Sequence, residues 1–177
     1  MSTSKTGCLV TLVTLAAATS AVAETPGLGV PITERDIAAW DITVFPSGAN
    51  MPRGRGTAAE GARIFAEKCV ACHGANAEGG IAAGLVGGPP LTDGIDTRKT
   101  IKNFWASATT LFDFVRREMP WQAPRTLSDD EVYALSAYIL ALNDIIDEDD
   151  VMNAETLPAV QMPNRNGFMP RFPELIP

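Results

Sequence analysis

The sequence predicts an all-α domain with an irregular arm on either side, and three observations carry that prediction. Apolar residues recur at helical spacing in separate segments, two of those segments open on full capping boxes, and no run alternates as a half-buried strand must. Gly and Pro crowd both ends of the mature chain, where no periodicity survives. With 177 residues, 46% hydrophobic and 20% charged, the composition is that of one globular domain. A formal charge of −7 without clustered Lys or Arg excludes a nucleic-acid-binding face.

Taken in order, the chain opens on Lys5 and a short apolar run, Cys8 to Val22, ending in Ala21-Val22-Ala23. This is the pattern of a secretory signal peptide, residues 1–23, cleaved after Ala23; the run is short for a membrane span, and no stable membrane anchor is expected. Cys8 precedes the apolar run, which argues against a lipoprotein signal. Residues 24–56 form an N-terminal arm of turn formers, with one short helix expected from Thr33 to Trp40. The domain proper, residues 57–147, opens on a helix from Thr57 to Lys68 whose capping box pairs Thr57 with Glu60 and whose apolar face holds Gly61, Ile64 and Phe65. The stretch Gly74 to Asp96 is glycine-rich and irregular, a long loop of the kind that lines a ligand. Helices are expected again at Thr100 to Trp105 and Thr109 to Arg117, the latter stopped by Pro120. The last helix starts at Ser128, capped by Glu131, with Val132, Leu135, Ile139 and Leu142 as its buried stripe. Asp144, Asp147, Glu148, Asp149 and Asp150 follow, either a solvated helix end or a field that steers a basic redox partner. A proline-rich C-terminal arm, residues 148–177, completes the chain.

Chemistry is constrained by the residue inventory. The chain has one histidine and three cysteines, and Cys8 leaves with the signal peptide. Cys69-Val70-Ala71-Cys72-His73 therefore holds every remaining thiol and the sole imidazole. A zinc site lacks a second cysteine or histidine pair, and a thioredoxin-like dithiol lacks its βαβ setting. In a C-x-x-C-H segment two thiols one turn apart can attach to one porphyrin while the imidazole faces its iron, so one covalent haem c is expected on Cys69 and Cys72 with His73 as axial ligand. With no second histidine, the other axial position falls to a methionine. Met119, fixed before Pro120 and ahead of the last capped helix, is the first candidate, Met162 the second, and an open iron the third possibility.

These residues resemble the class I cytochromes c over Thr57 to Leu142: Gly61, Phe65, Cys69-x-x-Cys72-His73, Gly88-Pro89-Pro90-Leu91, Met119-Pro120 and Leu135-x-x-Tyr138. The resemblance implies the class I cytochrome c fold, with the first and last helices crossing at Gly61 beside Phe65 and Tyr138. It implies a carbonyl at Pro89 that accepts from the proximal imidazole, against the alternative of an ordinary turn proline. Ala38-Ala39-Trp40-Asp41-Ile42, Asn103-Phe104-Trp105 and Met162-Pro163-Asn164-Arg165-Asn166-Gly167-Phe168 extend the resemblance to cytochrome subunits of sulfur (sulfane) and sulfite dehydrogenases. Some sulfane dehydrogenase cytochromes carry two haem motifs and this chain carries one. For Trp105 the resemblance suggests an indole N–H to a propionate, plain packing being the alternative.

A His/Met-ligated iron has no position for substrate, so the expected role is electron transfer and the chain by itself is not an enzyme. Leu91, Phe104, Phe112 and Trp121 are the apolar residues expected to dry the site. The resemblance implies a periplasmic electron-transfer subunit that accepts electrons from a molybdenum-containing sulfur-compound dehydrogenase and passes them to a downstream cytochrome or oxidase. A free diffusible shuttle and an open-haem enzyme or sensor are the alternatives.

Overall fold

The computed structural model describes residues 27–91, 96–169 and 171–172; the expected signal peptide and its cleavage after Ala23 lie outside them. The chain divides into two units, Met1–Ala39 and Trp40–Pro177. In the first, Thr33 caps helix α1 (Glu34–Trp40), its hydroxyl donating to Asp36 Oδ2 at 2.7 Å and accepting from the Asp36 N–H at 3.3 Å.

In the second unit, strand β1 (Arg55–Thr57) leads into α2 (Ala58–Lys68) and the single turn α3 (Val70–His73). Then come α4 (Ile101–Phe104), α5 (Ala108–Glu118), α6 (Asp129–Leu142), strand β2 (Val151–Asn153) and a 3₁₀ turn at Leu157–Ala159. The three capping boxes are built as the side chains dictate: Thr57 with Glu60, Thr100 with Asn103, and Ser128 with Glu131. The helices expected from periodicity are present within a residue or so at each end.

The expectation of no strands is corrected. β1 and β2 pair antiparallel, with Gly56 opposite Met152. Three residues each are too few to display an alternation, so nothing in the sequence announced them. The pairing ties the end of one arm to the start of the other, and residues beyond 147 supply core: Met152, Leu157 and Met162 are all buried.

α2 and α6 cross at glycine. A Cβ on Gly61 would lie 2.0 Å from the Ala134 carbonyl oxygen, and one on Gly56 would lie 2.1 Å from the Ala134 nitrogen. Only the absence of a side chain admits this approach. Phe65 and Tyr138 flank the crossing with ring centroids 5.3 Å apart. α6 is buried more widely than a single stripe, since Tyr133, Ala134, Ser136, Ala137 and Leu140 are buried as well as Val132, Leu135 and Ile139. Besides α2, it packs against α5, β1 and β2, which cover its other faces.

The start of α6 carries an acid-sensitive contact. Lys68 bonds to Glu131, and that bond, then the Ser128 backbone N–H, holds the Glu131 carboxyl below its ordinary value of 4.5. A depressed carboxyl stabilises the fold above its unfolded-state pKa and loses that contribution as pH falls through its folded value. Glu131→Gln is therefore expected to flatten the fall of thermal midpoint with acidification below pH 4.5, read by circular dichroism against the parent chain.

Candidate functional site

α2 ends at Cys69, whose carbonyl accepts the N–H of Cys72 at 3.1 Å and of His73 at 3.0 Å. This one turn turns Cys69, Cys72 and His73 onto a single cleft of about 370 Å³. The glycine-rich segment then folds back over α3: Gly79 N–H reaches the His73 carbonyl at 2.7 Å and Ala82 N–H the Cys72 carbonyl at 3.0 Å. Gly74 adopts φ +81°, the left-handed conformation that the reversal requires.

The cleft wall comes from almost every element. α2 gives Phe65; the loop gives Ile81, Ala82 and Leu85; α4 gives Ile101; α5 gives Leu111, Phe114 and Val115; α6 gives Leu135 and Ile139. Trp105, Met119, Trp121 and Leu127 complete it. Asn143, buried at the end of α6, fixes the loop from below: its amide donates to the Leu85 carbonyl at 3.3 Å and its oxygen accepts the Gly87 N–H at 3.0 Å.

His73 Nδ1 lies 3.1 Å from the Ala83 carbonyl. A carbonyl can only accept, so Nδ1 carries the proton and Nε2 the lone pair, which orients the ring as a ligand. This corrects the expectation for Pro89. Its carbonyl instead accepts from the Asn103 amide at 2.8 Å, because Asn103, while capping α4, reaches back to it. Pro89 is a turn proline outside the cleft wall.

Among the apolar residues expected to dry the site, Trp121 lines the cleft and Leu91, Phe104 and Phe112 do not. Phe112 is turned to the other side of α5 and packs on Tyr133 at 4.5 Å, leaving Leu111, Phe114 and Val115 on the cleft side. Phe104 meets Phe168 edge-on at 5.3 Å. Trp105 stands in the wall, edge-on to Phe114 at 5.7 Å. Met119, the C-cap of α5, is half-buried in the wall, whereas Met162 is fully buried in the core and outside it. The acidic group at 144–150 is exposed and separate from the cleft, with Asp144 paired to Lys102 at 3.3 Å.

The donor chemistry fits a flat apolar cofactor bearing iron. Burial pushes the Cys69 thiol up to about 11, so it is a poor thiolate and poorly suited to redox exchange. Among the described residues no group of three or more His, Cys, Asp or Glu could hold a metal ion by itself. An imidazole with a free Nε2, two thiols and a thioether around one apolar space are the set that a covalently attached haem takes.

A family model described as Cytochrome c matches residues 58–143. No curated protein matches the chain. Among solved structures, the crystal structure of the sulfane dehydrogenase SoxCD from Paracoccus pantotrophus is similar, with a TM-score of 0.75 and 36% identity over 85% of this chain and 75% of that one. No helix among the described residues is long and apolar enough to cross a membrane.

Proposed function

Since the chain belongs to the cytochrome c family and so carries an electron-transfer domain, we propose that it is the monohaem electron-transfer subunit of a periplasmic sulfur-compound dehydrogenase. The observation that carries the haem assignment is the shared cleft: Cys69, Cys72, His73 and Met119 all line one apolar space.

Cys69 and Cys72 would hold one haem c through thioethers, with His73 and Met119 as axial ligands. Bound there, the group supplies a one-electron Fe(III)/Fe(II) couple. Everything else is the work of the chain. The Ala83 carbonyl holds the His73 ring and makes it a more basic ligand. The Met119 thioether favours the reduced state and raises the potential above that of a two-histidine site. The cleft wall excludes water and pushes in the same direction, with Leu111, Phe114, Val115 and Trp121 as its outer and inner sides. Trp105 offers its indole N–H to a propionate.

Residues 57–147 are the haem domain, with residues 24–56 and 148–177 as arms. A signal peptide cleaved after Ala23 delivers the chain to the periplasm, where disulfide-free thiols and haem meet during attachment. The similarity to SoxCD, together with the resemblance of both arms to sulfur dehydrogenase cytochromes, supports a molybdenum-containing dehydrogenase subunit as electron donor and a downstream cytochrome or oxidase as acceptor.

The test is haem reduction by sulfite or thiosulfate, followed by visible absorption, with and without the co-expressed dehydrogenase subunit. Reduction is expected only when the partner is present and co-purifies. A chain that purifies alone as a monomer, and whose haem no sulfur compound reduces through that partner, would overturn the assignment in favour of a diffusible shuttle.

A further inference from the structure

Residues just ahead of the domain reach the loop that carries Met119. At alternate positions, Trp40, Ile42 and Val44 each engage α5 or that loop. The Arg125 guanidinium lies over the Trp40 ring, 5.6 Å from its centre. Arg116 Nη1 donates to the Ile42 carbonyl at 3.2 Å, and the Val44 N–H donates to Asp113 Oδ1 at 2.9 Å. Asp113 uses its other oxygen to accept from Arg117 at 2.8 Å.

Arg116 does more than hold the arm. Its Nε donates to Asp129 Oδ1 at 2.9 Å, and Asp129 is the first residue of α6. One guanidinium three residues before Met119 is thus bonded to the far end of the loop Met119–Leu127 and to the arm at once. The side chains of Arg116 and Asp129 are only 20% and 35% exposed, which lifts this pair above an ordinary screened surface bridge.

We propose that Trp40–Val44, with Arg116 at its centre, is a brace that keeps the Met119 loop closed and so keeps the thioether on the iron. The inference rests on Met119 being the axial ligand. For the sulfur to leave, the loop must swing away from the cleft. That excursion separates Arg116 from Asp129 or from Ile42 and uncovers Arg125 from Trp40, so the brace sets the population of the open loop.

The test uses the full haem-loaded chain in its ferric form, titrated with imidazole, which competes with Met119 for the iron. Arg116→Gln is expected to bind imidazole about tenfold more tightly than the parent, equivalent to ~1.4 kcal/mol. Trp40→Ala, at a residue 77% exposed and safe for folding, is expected to gain about threefold. Lys102→Gln, which breaks the ion pair with Asp144 elsewhere, is the control and should bind as the parent does. Tryptic cleavage after Arg125 should also quicken in Trp40→Ala. A merely structural brace would lower thermal midpoints in both variants while leaving imidazole affinity at the parent value, and that result overturns the proposal. Absence of the weak far-red Met–Fe(III) band from the parent itself would instead remove the axial assignment, and the brace with it.

Discussion

Cys69→Ser combined with Cys72→Ser is expected to yield a chain that carries no covalent haem and does not fold cooperatively. The first half of this expectation is chemical, since a hydroxyl cannot form the thioether. The second follows from the cleft. Its walls come from α2, α4, α5 and α6, so the space lies where a core would otherwise be. An unfilled apolar cavity costs ~24 cal/mol per Å³, and about 370 Å³ would cost on the order of 9 kcal/mol if it stayed open. That is comparable with the whole net stability of a domain, about 5 to 15 kcal/mol. The cofactor is in this sense part of the core, as a structural metal is in a small metal-folded domain. Haem staining after denaturing electrophoresis reads the first half and the sharpness of the thermal transition reads the second. A double variant that melts at the parent temperature with the parent's cooperativity would mean that the helices close on themselves and that the group is an addition to a finished fold.

What the sequence revealed and what it hid differ by physical kind. Helices that begin with a capping side chain and continue for three turns, such as α2 and α6, carry two independent local signals and were legible to within a residue or so. The haem-motif thiols and imidazole were legible because their spacing is itself the geometry: α3 is one turn long, and its ends are the reacting groups. The carbonyl that holds His73 was not. A backbone carbonyl has no side-chain signature, and which one reaches the ring depends on how the loop from Gly74 to Leu85 returns over α3, through bonds such as Gly79 to His73. Pro89 was assigned by its place after a glycine turn, but the Asn103 amide captures its carbonyl first. Phe112 shows a second limit. α5 is buried on two sides, so hydrophobicity alone does not say which side meets the cleft, and the structure gives that place to Leu111, Phe114 and Val115. The strands were hidden by length, and Met152 and Leu157 behind them read as tail residues until the pairing of β1 with β2 brought them into the core.

The same contrast between wall and core separates the two candidate methionines. Met119→Ala is expected to abolish the weak far-red band of the ferric protein, lower the reduction potential and open the iron to imidazole, because a thioether in the cleft wall is replaced by a methyl group that reaches nothing. Its effect on stability should be the smaller of the two, since the residue is half-buried and caps α5 through a backbone N–H that alanine retains, bonded to the Val115 carbonyl at 3.1 Å. Met162→Ala should do the reverse. Met162 is fully buried in the core, and its truncation is expected to cost about 2 to 5 kcal/mol through lost contact and the space left behind. For a domain of this size that is a fall in thermal midpoint of roughly 5 to 15 °C. The band and the potential should stay at the parent values, because the side chain faces packed hydrocarbon and not the cleft. Ferric absorption and a potentiometric titration, each paired with a melting curve, place both variants on two axes. Met119→Ala should move along the spectroscopic axis and Met162→Ala along the thermal one. A far-red band that survives Met119→Ala and vanishes in Met162→Ala would transfer the sixth ligand to the tail, and would require the C-terminal arm to leave the core whenever haem is bound.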